Sequence, residues 1–225
     1  MTRKIRISLL LLGCLVVLVL LALLLLYVAA RHVPEFYREA LEIPADNLKR
    51  GSDRMLQQAA AIKSAVNRPG RWETRITAEE INGWLAVDLP NNHPHALPPM
   101  LRQPRVAIDE NEITVACLYE QEGVKSVLSL TVQPYLPKPN VIAMRIVHAR
   151  AGMLPVPLRK VLDRITEAAR DANLRLEWRR DGDDPVVMLT VPRDERSGWT
   201  AQIDSLKLGD GEIHIAGSTL EQHTE

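Results

Sequence analysis

Residues 7–30 are twenty-four residues without a single charge, dominated by Leu and Val. As one helix at about 1.5 Å per residue they reach roughly 36 Å, enough to cross the hydrocarbon of a bilayer with some tilt. Everything after them is a polar chain of ordinary composition. The expected organisation is therefore one anchor carrying one folded domain.

Flanking charge sets the expected orientation. Arg3, Lys4 and Arg6 crowd the amino-terminal side with no acid among them, whereas Arg31, Arg38, Lys49 and Arg50 are spread over twenty residues and balanced by Glu35, Glu39, Glu42 and Asp46. Counting basic residues closest to the span puts the amino end in the cytoplasm and the rest outside the cell membrane, in a single pass. Tyr27, Phe36 and Tyr37 suit the outer headgroup level, where aromatic rings with polar surroundings settle. A cleaved signal peptide would have an apolar core of roughly 7–15 residues, shorter than this run, although Val28-Ala29-Ala30 would serve as a small-residue cleavage site. Leu11-Leu12-Gly13-Cys14 mimics a lipoprotein processing box, but the long apolar run follows Cys14 instead of preceding it. Cys14 reads as a membrane-buried thiol.

The second cysteine, Cys117, cannot meet Cys14 across this topology, so the exported part must fold without an internal disulfide. Its 195 residues are enough to bury a core alone. Three of the 28 basic residues precede the span, leaving 25 against 28 acids beyond it. A slightly acidic domain is a poor partner for nucleic acid.

Along the chain, residues 35–43 read as a short stalk closed by Pro44. Residues 46–66 carry a helical stripe of Leu48, Met55, Ala59, Ile62 and Val66, ended by Asn67-Arg68-Pro69-Gly70. A short strand is expected over 71–76. Thr77-Ala78-Glu79-Glu80 is a capping box, followed by a stripe of Ile81, Trp84, Leu85 and Leu89, with Pro90 as the stop. Strands over 105–108, 113–120, 124–133 and 140–149, separated by short turn-forming gaps, argue for an antiparallel meander. Pro157 opens a second amphipathic helix through Leu158, Val161, Leu162, Ile165, Ala168 and Ala169. Leu174, Leu176 and Trp178 alternate with charged residues, 186–191 is apolar on both faces like a central strand, and 201–208 with 212–217 form a hairpin across Gly209-Asp210-Gly211. The whole predicts an α+β class: a membrane helix, then a curved antiparallel sheet packed with amphipathic helices. In domain terms these are a cytoplasmic start (1–6), the span (7–30), a stalk and helix (31–70), the exported domain (71–217) and a polar, frayed tail (218–225).

No motif in this chain specifies a reaction or a cofactor. His93-Pro94-His95 offers two imidazoles where a zinc site needs three or four ligands. Asp181-Gly182-Asp183-Asp184 has oxygen ligands but lacks the length and closing Glu of an EF-hand, and a hairpin turn explains it. Cys117 shares a strand face with Ile113, Val115 and Tyr119, so it reads as a core thiol. Ser126, Ser129 and Ser205 lie within strands and not in a nucleophile elbow. Trp84 and Trp178 fall on apolar stripes and read as core residues. The expected role is non-enzymatic. A hydrolase would require a polar cluster gathered in a cleft.

Two Pro-rich loops are unusually apolar: Leu97-Pro98-Pro99-Met100-Leu101 and Met153-Leu154-Pro155-Val156-Pro157-Leu158. Loops are normally polar, so such loops either plug one end of the sheet or meet an apolar ligand or lipid. The candidate lipid-contact residues are Leu97, Met100, Leu101, Met153, Leu154 and Val156. Residues 145–180 hold nine Lys and Arg against four acids, and Arg150, Arg159, Lys160 and Arg164 are the candidates for headgroup attraction.

The run Ile76-Thr77-Ala78-Glu79-Glu80-Ile81-Asn82-Gly83-Trp84-Leu85, soon after an amino-terminal span and ahead of long strands, resembles a group of uncharacterised bacterial proteins with one membrane anchor and an exported α+β domain. The likeness extends through Ala151-Gly152-Met153-Leu154-Pro155. In helix-then-curved-sheet order the chain is more distantly similar to tubular lipid-binding domains and to sheet modules of the AsmA type. These resemblances imply a non-enzymatic envelope role, with an acyl chain held between sheet and helix. The expected partner is membrane lipid; the alternative is a scaffold or assembly factor docking another envelope protein.

Overall fold

The computed structural model describes residues 3–157, 159, 162–163, 166–167, 170, 176–182, 184–191 and 199–221, with side chains from Cys14 onward. Within them the chain is α+β, and every strand pairing is antiparallel. The apolar stretch is one helix, α1 (Arg3–Ala30). Its side chains from Leu15 to Val28 stand largely exposed all the way round, Leu25 reaching 69%.

Where a stalk is expected there are two helices, one of 8 residues and one of 22. Pro34 and Pro44 each sit at the residue before a helix, where a fixed φ near −58° favours an abrupt start: α2 (Glu35–Glu42) and α3 (Ala45–Val66). The expected headgroup role of Phe36 and Tyr37 is overturned here. Tyr37 is 1% exposed, packed with Ala116 and Val127, and Phe36 and Leu41 close the same cluster. The strand facing α2 makes this docking possible. In β2 (Leu101–Ile108) the register shifts between Arg102 and Arg105, and Gln103 takes a φ of 51°. That bulge turns the Gln103 carbonyl toward Tyr37, whose hydroxyl donates to it at 2.9 Å, while Arg105 Nε donates to the Ala40 carbonyl at 3.0 Å. A buried guanidinium thus satisfies an orphan carbonyl near the end of α2.

The capping box forms as expected at the start of α4 (Ala78–Asn92), with Thr77 and Glu80 bonded reciprocally. The helix runs on to Asn92 with Pro90 inside it, so Pro90 does not stop it. Helix α3 meets α4 through glycine. A Cβ on Gly83 would lie 2.4 Å from the Ser52 amide nitrogen and 2.5 Å from the Leu48 carbonyl, and one on Gly51 would lie 2.7 Å from the Glu79 carbonyl. The two backbones are therefore in contact, and Gly51 and Ser52 are the buried residues of α3. Of the expected apolar stripe, Leu48, Met55, Ile62 and Val66 are only half-buried, and Ala59 is exposed.

β2 continues into β3 (Ile113–Gln121), β4 (Val124–Lys138) and β5 (Val141–Ala151), then β6 (Leu154–Pro155), β7 (Leu176–Asp181) and β8 (Asp184–Thr190). The large sheet runs β2-β3-β4-β5-β8-β7, with β6 beside the end of β5. The meander is as expected, although β4 passes through Pro134 and Pro137 before turning at Asn140. β8 is an interior strand, with Val186 and Val187 buried. The hairpin of β9 (Trp199–Gly209) and β10 (Glu212–Glu221) does not join this sheet. It pairs with β1 (Gly70–Thr77) in a separate three-stranded one, and β10 continues through Ser218–Glu221, which had been expected to fray. Asn140, at φ 61°, links the sheets: its amide donates to the Ala201 carbonyl at 3.0 Å and accepts from the Ile203 N–H at 2.7 Å. Of the second amphipathic helix, Leu158, Val161, Ile165, Ala168 and Ala169 lie outside the described residues, as do Leu174 and Asp183.

The two faces of β3 divide their burial differently from the expectation. On β3 it is Ala116 that is buried under Tyr37, whereas Val115 is 42% exposed and Cys117 half-buried. α2 packs on the Ala116 face, which a stalk would leave uncovered. Burial still pushes the Cys117 thiol up to about 11, and burial first, then Cys117, raises Tyr37. Both groups ionise at lower pH when unfolded, so their contribution to stability is complete below about pH 9 and is lost as pH rises through the folded values. Chemical denaturation should show stability falling between pH 9 and 11, and Cys117→Ala should flatten that fall.

Candidate functional site

The carboxyl end of α1 presents orphan carbonyls, as every helix does, and the sheet supplies their donors. The Ser126 hydroxyl on β4 donates to the Ala30 carbonyl at 2.6 Å, and the Met153 N–H donates to the Ala29 carbonyl at 2.8 Å. Met153 stands in the tight turn between β5 and β6, held against β4 by the Gly152 N–H on the Val127 carbonyl at 2.8 Å. Gly152 is required twice over. Its φ is 58°, and a Cβ there would lie 2.3 Å from the Ala29 carbonyl oxygen. Ser126→Ala should cost about 1 kcal/mol, lowering Tm by roughly 2–4 °C, and speed amide exchange at Met153. Thermal unfolding of the full chain in detergent, with hydrogen exchange, checks both.

Strand register shows what else lies at this end. Leu101 of β2 faces Tyr119 of β3, and Tyr119 faces Ser126 of β4. The Leu97–Leu101 loop and the Met153–Val156 loop therefore share the edge of the sheet at which α1 arrives. Met100 is fastened there by its carbonyl, which accepts the Glu120 N–H at 2.9 Å. Of the six apolar candidates, Met153 is 60% exposed, whereas Leu97, Met100, Leu101, Leu154 and Val156 are half-buried. Val124, in the β3–β4 turn at the same edge, is 58% exposed and had been overlooked. A Val following Glu122-Gly123 carries no separate mark in the sequence.

Charge at this edge is mixed. Lys125 lies 2.7 Å and Arg102 3.8 Å from Glu120, and Lys125 leads in holding that carboxyl below its usual range. Arg31 donates to the Tyr27 hydroxyl at 2.6 Å, and its guanidinium lies 5.1 Å from the Tyr27 ring centre. Arg150 and Arg159 are exposed, while Lys160 and Arg164 lie outside the described residues.

A second feature occupies the opposite end of the strands. From Ser126 to Gln133 is seven residues along β4, about 23 Å. There an open cleft of about 900 Å³ is lined by Asp109, Glu110, Glu112, Tyr135, Arg145 and Asp181, among others. Arg145 is ion-paired with Asp181, and Gln133 Nε2 donates to Glu112 at 3.0 Å. Its lining is carboxylate and amide, which suits cationic groups and does not suit an acyl chain.

The histidine pair, the Asp181 turn and the tryptophans have local roles. His93 lies 3.8 Å from Asp88 and its ring 5.9 Å from Trp84. Among the described residues no three His, Cys, Asp or Glu side chains converge as a metal site. Asp181 pairs with Asp184 to close the β7–β8 turn. Trp84 and Trp178 are half-buried, and Trp178 Nε1 donates to Thr166 Oγ1 at 2.8 Å.

Among the described side chains no single helix is long and apolar enough to cross a membrane, but Cys14–Ala30 with Glu35–Glu42, bent by 42°, passes by length and composition. α2 is a poor second half for such a span, because Tyr37 and Ala40 are buried against the sheet. Comparison with family models, curated proteins and solved structures gave no match to this chain. Any functional reading rests on the geometry.

Proposed function

We propose that this is a single-span protein of the cell membrane, its amino end cytoplasmic and its α+β domain extracytoplasmic, acting through lipid contact and not through catalysis. One observation carries the reading: the apolar helix ends by hydrogen bonding directly to the sheet edge that bears both apolar loops. An apolar helix exposed on all sides needs a non-aqueous surrounding. The Ala29 and Ala30 carbonyls are bonded by the domain, which favours an anchor kept over one cleaved at Val28-Ala29-Ala30. Lipid contact is assigned to the rim made by Leu97, Met100, Leu101, Met153, Leu154 and Val156, with Arg150 and Arg159 for headgroup phosphates. The polar cleft at the far end of the strands is lined by no helix residue, so it is not the space between sheet and helix in which an acyl chain is expected.

The same cleft supports a second reading, a scaffold that docks a basic segment of another envelope protein. Photo-crosslinkers at Met153 and Glu110 separate the two. Lipid adducts from Met153, with none from Glu110, support the lipid role. A reproducible protein adduct from Met153 without lipid overturns it, and a protein adduct from Glu110 supports docking.

A further inference from the structure

The contact between α1 and the sheet has a mechanical consequence. A flexible tether would let the domain float above the bilayer. Here the last carbonyls of α1 are bonded to two different hairpins, at Ser126 and at Met153, within a contact that Gly152 makes backbone to backbone. Helix and sheet therefore meet in one orientation.

Two turns gather at this junction. The β5–β6 turn touches Ala29, so the Met153 backbone caps the carboxyl end of the apolar helix. The β3–β4 turn adjoins the same junction. Ser126 is level with Ala30, and Val124 is two residues nearer the turn, about 7 Å along the strand. Glu122 and Gly123 have φ of 51° and 81°, the tight two-residue turn that keeps β4 straight to its start. Val124 and Met153 are among the most exposed large apolar side chains outside α1. Tyr27 and Arg31, an aromatic ring under a guanidinium, lie at the same level of α1, a pairing suited to the headgroup layer.

We infer that the tips of the β3–β4 and β5–β6 hairpins insert Val124 and Met153 into the outer interfacial layer of the bilayer that α1 crosses, fixing the domain upright on the membrane. The occupant of this rim is the bilayer surface itself. Lys125 follows Val124 and Arg31 follows the last residue of α1, two cations for lipid phosphate, and Glu120, already paired with Lys125, is prevented from opposing it fully. Upright docking turns the acidic cleft away from the membrane, toward the compartment. The inference rests on the membrane-anchor reading, and its test distinguishes the two.

The test uses the full chain carrying Cys14→Ser and Cys117→Ala, reconstituted in nanodiscs of phosphatidylcholine and phosphatidylglycerol. An environment-sensitive fluorophore is placed singly through Val124→Cys, Met153→Cys, Glu110→Cys or Val19→Cys, with lipid nitroxides near the glycerol level as quenchers. The expected result is blue-shifted emission and loss of most intensity at Val124 and Met153, with Glu110 unaffected. If the two rim probes behave like Glu110 while Val19 is quenched, the anchor stands and the inserted rim is overturned. If Val19 is also unquenched, the anchor reading fails and the rim falls with it.

Discussion

Replacing Asn82 with Leu should cost about 3–5 kcal/mol, lowering Tm by roughly 10 °C or more. Asn82 is buried on α4, and its amide acts as a strand partner. Nδ2 donates to the Val106 carbonyl at 2.9 Å, and Oδ1 accepts the Val106 N–H at 2.8 Å. β2 is an edge strand, so no neighbouring strand can replace that partner. Leucine fills a similar volume but leaves both backbone groups buried and unpaired, at about 1–3 kcal/mol each. Asn91→Ala on the exposed side of the same helix, where the side chain bonds only the Val87 carbonyl, should cost under about 0.5 kcal/mol. Denaturation of both variants in detergent micelles measures the contrast.

Gly83→Val should be nearly as damaging, at about 3 kcal/mol, the upper end for overpacking. The new Cβ would meet three backbone groups of α3, at Ser52, Leu48 and Gly51, all closer than any real Cβ approaches. Backbone cannot rotate aside as a side chain does, so the helices must separate. Separation also strains the contacts that cross between them, Gln58 to Glu80 at 2.9 Å and Arg54 to Glu79 at 2.8 Å. Gly209→Ala, whose methyl meets the Glu212 side chain at 3.3 Å, should lose much less. The same unfolding curves would report it.

These two residues also show where the sequence was readable and where it was not. The capping box at Thr77 and Glu80 announces itself because both partners lie within one helical turn. Asn82 and Gly83 stood in the same quoted run, yet their reasons lie 24 residues ahead at Val106 and some 30 residues back at Ser52 and Gly51. The β2–β5 meander was legible from short turns, whereas the pairing of β1 with β10, far apart in sequence, was not. α2 reads as a stalk in the sequence because eight residues are barely two turns, too few for Phe36, Tyr37, Ala40 and Leu41 to stand out as a stripe, and without α2 the burial of Ala116 has no visible cause. At the rim, the apolar loops stood out by composition. Ser126 did not, since a serine inside a strand becomes a helix cap only when the helix is brought to it.

In the proposed topology α1 crosses the membrane and delivers the sheet domain to the outer side, joined at Ser126 and Met153. A pair of reporters fused after the final residue tests it most directly, one active only after export and one only in the cytosol. The export-dependent reporter should be active and the cytosolic one silent. The reverse pattern would contradict the account, because the rim, the cleft and the anchor would then face a different compartment from the one argued.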